Sequence, residues 1–174
     1  MPTLVSAAEY LNFSYRPDVE SVDGILVERG EATVAHGLLQ AILIQTFSPD
    51  QKELGLLPLP NVRMQIVAGR RYRIPDLMLC PVPLPRGKVV TSVPWAVIDI
   101  LSDDRLPVLL ERLGDFKRAG VRHVVLLDPE QSAAFRFEDG SLLRTQFTSL
   151  DLPAGSLPFD TDAIFRQLRN ELGR

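Results

Sequence analysis

The chain has 174 residues, enough for one domain with a buried core, and its 45% apolar and 24% charged content is that of an ordinary globular protein. No apolar stretch can span a bilayer, the start from Met1 to Leu11 lacks a secretory leader pattern, and the single cysteine, Cys80, has no disulfide partner; a single domain over 1–174 in the reducing cytoplasm is expected. The net charge of −3 argues against a broad basic face for nucleic acid, leaving a local basic patch, a bound cation or another kind of substrate.

Along the chain, Ala7 to Phe13 predicts a short opening helix, and Ser21 to Glu28 a hairpin turning at Asp23-Gly24. Ala32 to Phe47 is apolar almost all round and predicts a buried helix. Leu57-Pro58-Leu59-Pro60 reads as a loop, because proline removes a backbone donor. Val62 to Val67 and Tyr72 to Cys80 flank Gly69-Arg70-Arg71 as a second hairpin, and Pro81 to Gly87 is a further loop. Trp95 to Leu101 suits a strand buried on both faces. Ser102-Asp103-Asp104 offers N-cap chemistry for a helix with Leu106, Leu109, Leu110, Leu113 and Phe116 at helical spacing, stopped by Gly120. Val121 to Leu127 is a strand closed by Asp128-Pro129, so this stretch forms a right-handed βαβ crossover with parallel strands. Ala133 to Phe137 and Leu142 to Thr148 are weaker strands about Asp139-Gly140, and Thr161 to Leu172 is a closing amphipathic helix. The class is α/β with a mixed sheet.

Asp99 lies near the end of the apolar strand Trp95–Leu101, where an isolated carboxylate costs several kcal/mol unless it is paired, hydrogen-bonded or bound to a metal. Two readings stand: a metal ligand, or a structural Asp bonded to a helix N-terminus or an arginine. Asp76, between Pro75 and the strand-like run Leu77–Cys80, is the second carboxylate; alone, a Pro-Asp step is a common turn. Two carboxylates at the ends of neighbouring strands, with a main-chain carbonyl such as that of Ile100, make the oxygen-rich cradle that Mg²⁺ or Mn²⁺ takes.

Pro75-Asp76 followed after a long gap by an acid in an apolar strand resembles the PD-(D/E)xK nuclease pattern. The resemblance narrows to the Uma family of restriction-endonuclease-like proteins through Tyr15–Gly24, Val27-Glu28-Arg29, His36 with Leu39-Gln40, Tyr72–Asp76, Ile98–Ser102, Gly120-Val121 and Leu127-Asp128-Pro129. It implies a restriction-endonuclease-like fold with a mixed central sheet, an N-terminal helix, a hairpin, a buried helix and the βαβ crossover. It further implies a metal held by Asp76 and Asp99, with Glu28 as an additional acid from the N-terminal strands. The motif's lysine position is Leu101; the resemblance places the basic residue on the following helix instead, as Arg112, with Lys117 as second candidate. Arginine stabilises phosphate charge but is essentially never a general base. DNA as substrate and a homodimer are implied by the same likeness.

His36 reads more readily as a hydrogen-bonded buried histidine than as a metal ligand. His123 has no cluster around it, and no Cys/His zinc spacing or glycine-rich phosphate loop exists. Gly69-Arg70-Arg71 and Arg73 form the best local basic patch. Three functions remain: a metal-dependent endonuclease on DNA, a degenerate nuclease fold serving binding or assembly, and a structural α/β domain whose acids cap helices.

Overall fold

The computed structural model describes residues 4–173. Helix α1 (Ala7–Asn12) opens with a reciprocal cap: Ser6 accepts from Glu9 N–H, and the Glu9 carboxylate accepts from Ser6 N–H. Strands β1 (Val19–Val22) and β2 (Ile25–Glu28) form the expected hairpin, with Asp23 and Gly24 both at positive φ. Helix α2 (Val34–Phe47), N-capped by the Thr33 hydroxyl, buries Leu39, Ile42, Leu43 and Phe47. The four-residue helix α3 (Gln51–Leu54) follows, ended by Gly55 in the left-handed region.

Next come β3 (Leu56–Pro60), β4 (Met64–Val67), β5 (Arg71–Arg73) and β6 (Leu77–Pro81). Two expectations are corrected here. The stretch Leu57–Pro60 is not a loop but part of β3, the edge strand beside β6, where Pro58 lies opposite Leu79. An edge strand tolerates proline because only one side of it joins the ladder. Likewise Tyr72 to Cys80 is not one strand: Ile74-Pro75-Asp76 breaks it, sending β5 into one sheet and β6 into another.

Strand β7 (Ala96–Ile100), helix α4 (Leu106–Arg118) and β8 (His123–Asp128) form the predicted crossover, with β7 and β8 parallel. The N-cap of α4 is Arg105, with no side-chain capping bond; the Ser102–Asp104 segment does not cap it, because Asp104 is drawn to Arg112. The chain closes with β9 (Ala133–Glu138), β10 (Ser141–Arg144), the hairpin β11 (Ser149–Leu152) and β12 (Gly155–Pro158), and α5 (Thr161–Glu171).

The six-stranded mixed sheet has the order β10-β9-β8-β7-β6-β3, and a four-stranded sheet the order β2-β1-β5-β4. Strand alternation divides the core between the two faces of the large sheet. Ala96, Ile98 and Ile100 pack with α2 and α5, whereas Val97 packs with Leu109, Leu113 and Phe116 of α4 and with Met64 of the small sheet. Cys80 is a fully buried member of the second core, as a small apolar residue should be.

Candidate functional site

The β6–β7 register pairs Leu77 with Ile98; one step further it sets Asp76 opposite Asp99. Pro75 ends the neighbouring segment, so at this point side chains take over the bonding of the sheet. The Asp76 N–H donates to Asp99 Oδ1 at 3.0 Å, and the Ile100 N–H donates to Asp76 Oδ2 at 2.7 Å. Both carboxylates are buried, at 1% and 0% exposure. Asp99 stands on the Val97 face of β7, beneath α4, where Arg112 Nε donates to its Oδ2 at 2.9 Å. Arg112 Nη2 also reaches Asp104 Oδ2 at 2.8 Å. From the other side, Arg29, just past β2, donates to Asp76 Oδ1 at 2.8 Å, and His36 Nε2 of α2 lies 3.3 Å from the same oxygen. Gln40, one turn beyond His36, donates to the Asp76 carbonyl at 2.6 Å.

These partners set the protonation states. Burial pushes the Asp76 carboxyl up, yet the His36 ring, the Arg29 guanidinium and the Ile100 N–H together bring it below the ordinary carboxylate value. Burial likewise opposes the charge on Arg112, but Asp99 and Asp104 hold it more firmly protonated than a free guanidinium.

Of the residues singled out by sequence, the structure brings together Asp76, Asp99, Ile100, Arg112 and the buried His36. Ile100 meets Asp76 through its N–H. Glu28 is not brought in. It lies across from Val19, one position out of phase with Glu20, so it stands on the opposite face of the hairpin, exposed and without a hydrogen bond or ion pair among the described residues. Lys117 is also elsewhere, bonded to Glu138 at 3.3 Å and the Arg122 carbonyl at 3.0 Å. Leu101, at the lysine position, is partly buried against the α4 core. The expected basic patch is drawn into ion pairs: Arg71 and Arg73 pair with Asp115, and the exposed Arg70 pairs with Asp23.

Two residues escaped the sequence reading. Glu20, at 0% exposure, accepts from Arg73 Nη1 at 2.8 Å and from Ile74 N–H at 2.9 Å. Its signal was an acid inside a short β-branched strand, the same signal that singled out Asp99. Arg29 stood in the matched stretch Val27-Glu28-Arg29 without a role, because nothing in a loop arginine foretells a partner 47 positions away.

A divalent cation between Asp76 and Asp99 requires accessible carboxylate oxygens, and this arrangement supplies none. Each of the four oxygens accepts from a protein donor. Two guanidinium groups already stand against the two carboxylates, Arg112 being shared with Asp104. A dication about 5 Å from one guanidinium meets roughly 7 kcal/mol of repulsion at an effective dielectric constant of about 20. Among the described residues, no group of three or more His, Cys, Asp or Glu side chains is placed to hold a metal ion. The residues as arranged do not fit a divalent metal.

The Uma2 family, described as "Putative restriction endonuclease", matches residues 7–162. No curated protein matches the chain at a significant level. Among solved structures, "a putative nuclease belonging to DUF820" from Anabaena variabilis superposes with a TM-score of 0.77 at 16% identity, over 94% of this chain and 99% of that one. The DrdV–DNA complex gives a TM-score of 0.40 at 14% identity, over 74% of this chain and 11% of that one. The first of these likenesses establishes the fold, a mixed α/β architecture around a central mixed sheet. Among the described residues no helix is long and apolar enough to cross a membrane.

Proposed function

The chain belongs to the Uma2 family, and from that premise we propose that it is a restriction-endonuclease-like domain whose carboxylate site is closed by arginine, acting by binding or assembly rather than by metal-dependent cleavage of DNA. One observation carries this reading: every carboxylate oxygen of Asp76 and Asp99 is engaged by a protein donor, with Arg29 and Arg112 standing against the two charges. Such a network is a stable end state for buried charge, since removing one partner of a buried pair costs about 3–5 kcal/mol. The chemistry of the basic residue agrees. Arg112 could offset phosphate charge but could not take a proton from water, and Leu101 provides no amine. Assembly as a homodimer rests on the family resemblance and on the prevalence of two-fold oligomers, and light scattering checks it as twice the 19.4 kDa chain mass.

A second reading is favoured by one feature. A cleft of about 510 Å³, lined by Arg29, His36, Gln40, Asn61 and Asp76 among others, opens beside the pair. If Arg29 left Asp76 for a phosphodiester, Mg²⁺ or Mn²⁺ at Asp76, Asp99 and the Ile100 carbonyl would return the site to nuclease use, on DNA as the family's description implies. The deciding experiment incubates the protein with supercoiled, linear duplex and single-stranded DNA in Mg²⁺ or Mn²⁺, beside Asp76→Asn. No cleavage above the variant's background is expected. Cleavage that Asp76→Asn abolishes would reverse the order of the two readings.

A further inference from the structure

We propose that the groove at the carboxyl ends of β7 and β8 is a docking site for an arginine side chain on a segment of a partner protein. The inference goes beyond the closed-site reading, since neither Asp76 nor Asp99 lines this groove.

The groove holds about 440 Å³. Leu101, Ser102 and Asp103 leave β7 on one side of it; Asp128 ends the adjacent parallel strand β8, and Pro129 to Gln131 follow. Glu31 and Thr33, between β2 and α2, complete the wall. Four of the lining residues are acids, Glu31, Asp103, Asp128 and Glu130, and none is Lys or Arg. The lining is thus the reverse of the Asp76–Asp99 pair, where arginines are already in place. Such a field repels phosphate and draws a cation. Glu31 and Asp103 are exposed, and neither side chain has a hydrogen bond or ion pair among the described residues. Asp128 is 7% exposed; its Oδ1 accepts from the Glu130 and Gln131 N–H groups at 2.9 and 3.0 Å, and its Oδ2 accepts from no donor among the described residues. A buried carboxylate with one oxygen unused still calls for a donor.

The rest of the lining selects the kind of cation. Among the described residues no three His, Cys, Asp or Glu side chains are placed to share a metal ion, so these acids are spread around the groove rather than gathered at a point. Leu101 and the buried Pro129 lie between them. An aliphatic stem packs on such apolar residues while its charged head meets the acids. A guanidinium suits this better than an ammonium, being planar, weakly hydrated and able to fork onto a carboxylate. Val34 follows Thr33 at the mouth of the groove and is 79% exposed. That apolar surface offers a contact to a chain carrying the arginine, which a free amine would leave unused. The walls are set in advance, Asp128 by its bonds to the turn and the Thr33 hydroxyl by the His36 N–H that it caps.

The test titrates the isotope-labelled full chain, followed by its amide resonances, with the peptide acetyl-Gly-Leu-Arg-Leu-Gly-amide and with the same peptide carrying citrulline, the uncharged isostere of arginine. The arginine peptide is expected to give saturable shifts at Glu31 to Thr33, Leu101 to Asp103, Glu130 and Gln131, and the citrulline peptide none. Glu31→Gln/Asp103→Asn, its fold checked by the same spectrum, should weaken binding at least roughly fivefold through two lost charge contacts. Glu53→Gln/Glu171→Gln removes two exposed acids elsewhere and should bind as the wild type does. Equal weakening in both double variants would reduce the effect to net charge and overturn the inference, as would shifts at other residues or none at all. Spermidine giving the same shifts at lower concentration would put a free polyamine in place of the peptide. A dimer in light scattering that Glu31→Gln/Asp103→Asn splits would make the occupant a second copy, and either result overturns the partner protein. None of these outcomes bears on DNA cleavage, so the closed-site reading stands or falls separately.

Discussion

Asp99 is packed as tightly as its apolar neighbours: at 0% exposure, it accepts from the Asp76 N–H and from Arg112 Nε within the space that one Asp side chain allows. A metal ligand facing a cleft would accept an extra methylene, whereas a packed ion-pair partner would not. Asp99→Glu is therefore expected to lower stability by about 1–3 kcal/mol, the usual cost of overpacking, read as a fall in the urea midpoint, with no nuclease activity gained. An Asp99→Glu protein as stable as the wild type, or active in Mn²⁺, would count against the closed site. Sequence revealed much at this scale. Asp99 was legible because a charged residue within an apolar strand demands a partner; Asp76 gained weight only beside it, and Arg112 came from the family resemblance. Glu28 came from the family resemblance, whereas Glu20, just outside the expected hairpin, was not singled out; a one-position difference in register decides which of the two is buried.

Elements were legible wherever periodicity ran unbroken. The crossover β7-α4-β8 and helices α2 and α5 stand close to where their patterns placed them. The misses share a cause, which is that proline carries different meanings in different surroundings. In Leu57–Pro60 it marks an edge strand, and at Pro75 it divides a strand between two sheets; both depend on neighbours far away in sequence. The hairpin of β11 and β12 escaped notice because its strands of four residues are too short to show alternation. Capping is more local and supports a sharper expectation. Asp160 accepts from Ala163 N–H at 3.0 Å at the start of α5, whose Ile164, Phe165 and Leu168 close one core. Asp160→Ala should cost about 1 kcal/mol, typical for loss of an N-cap, with Asp160→Asn or Asp160→Ser restoring most of it. An unchanged melting curve for Asp160→Ala would show that core packing alone fixes this helix.

At the scale of the whole molecule, α4 is fastened to both sheets by charge as well as by its apolar stripe. Arg112 binds it to Asp99 of the large sheet. Asp115, which also pairs with Arg118, binds it to Arg71 and Arg73 of the small sheet; Arg73 passes the link to Glu20, and Arg71 to Asp23. Three acids in this scaffold titrate low. Burial raises Asp76, Asp104 and Asp115, but the cations beside them more than reverse it, leaving all three below their ordinary value. A carboxylate whose folded pKa is depressed contributes stability that is present above its unfolded pKa, near 3.9, and lost as pH falls through the folded value. His123, lowered by burial, adds a loss that begins near its ordinary value of 6.5. The urea midpoint should therefore be flat above about pH 7, decline gently through about pH 6, and drop steeply below about pH 4. Two variants separate the contributions: His123→Gln should remove the gentle step, and Asp115→Asn should lower the plateau by about 1.5–3 kcal/mol by leaving Arg73 with Glu20 as its one close carboxylate partner. Stability that instead rose on acidification below about pH 4 would mean that these acids repel one another more than the arginines hold them. The two sheets would then have to be joined by apolar packing alone, and α4 would have no need of the charges that now link it to each.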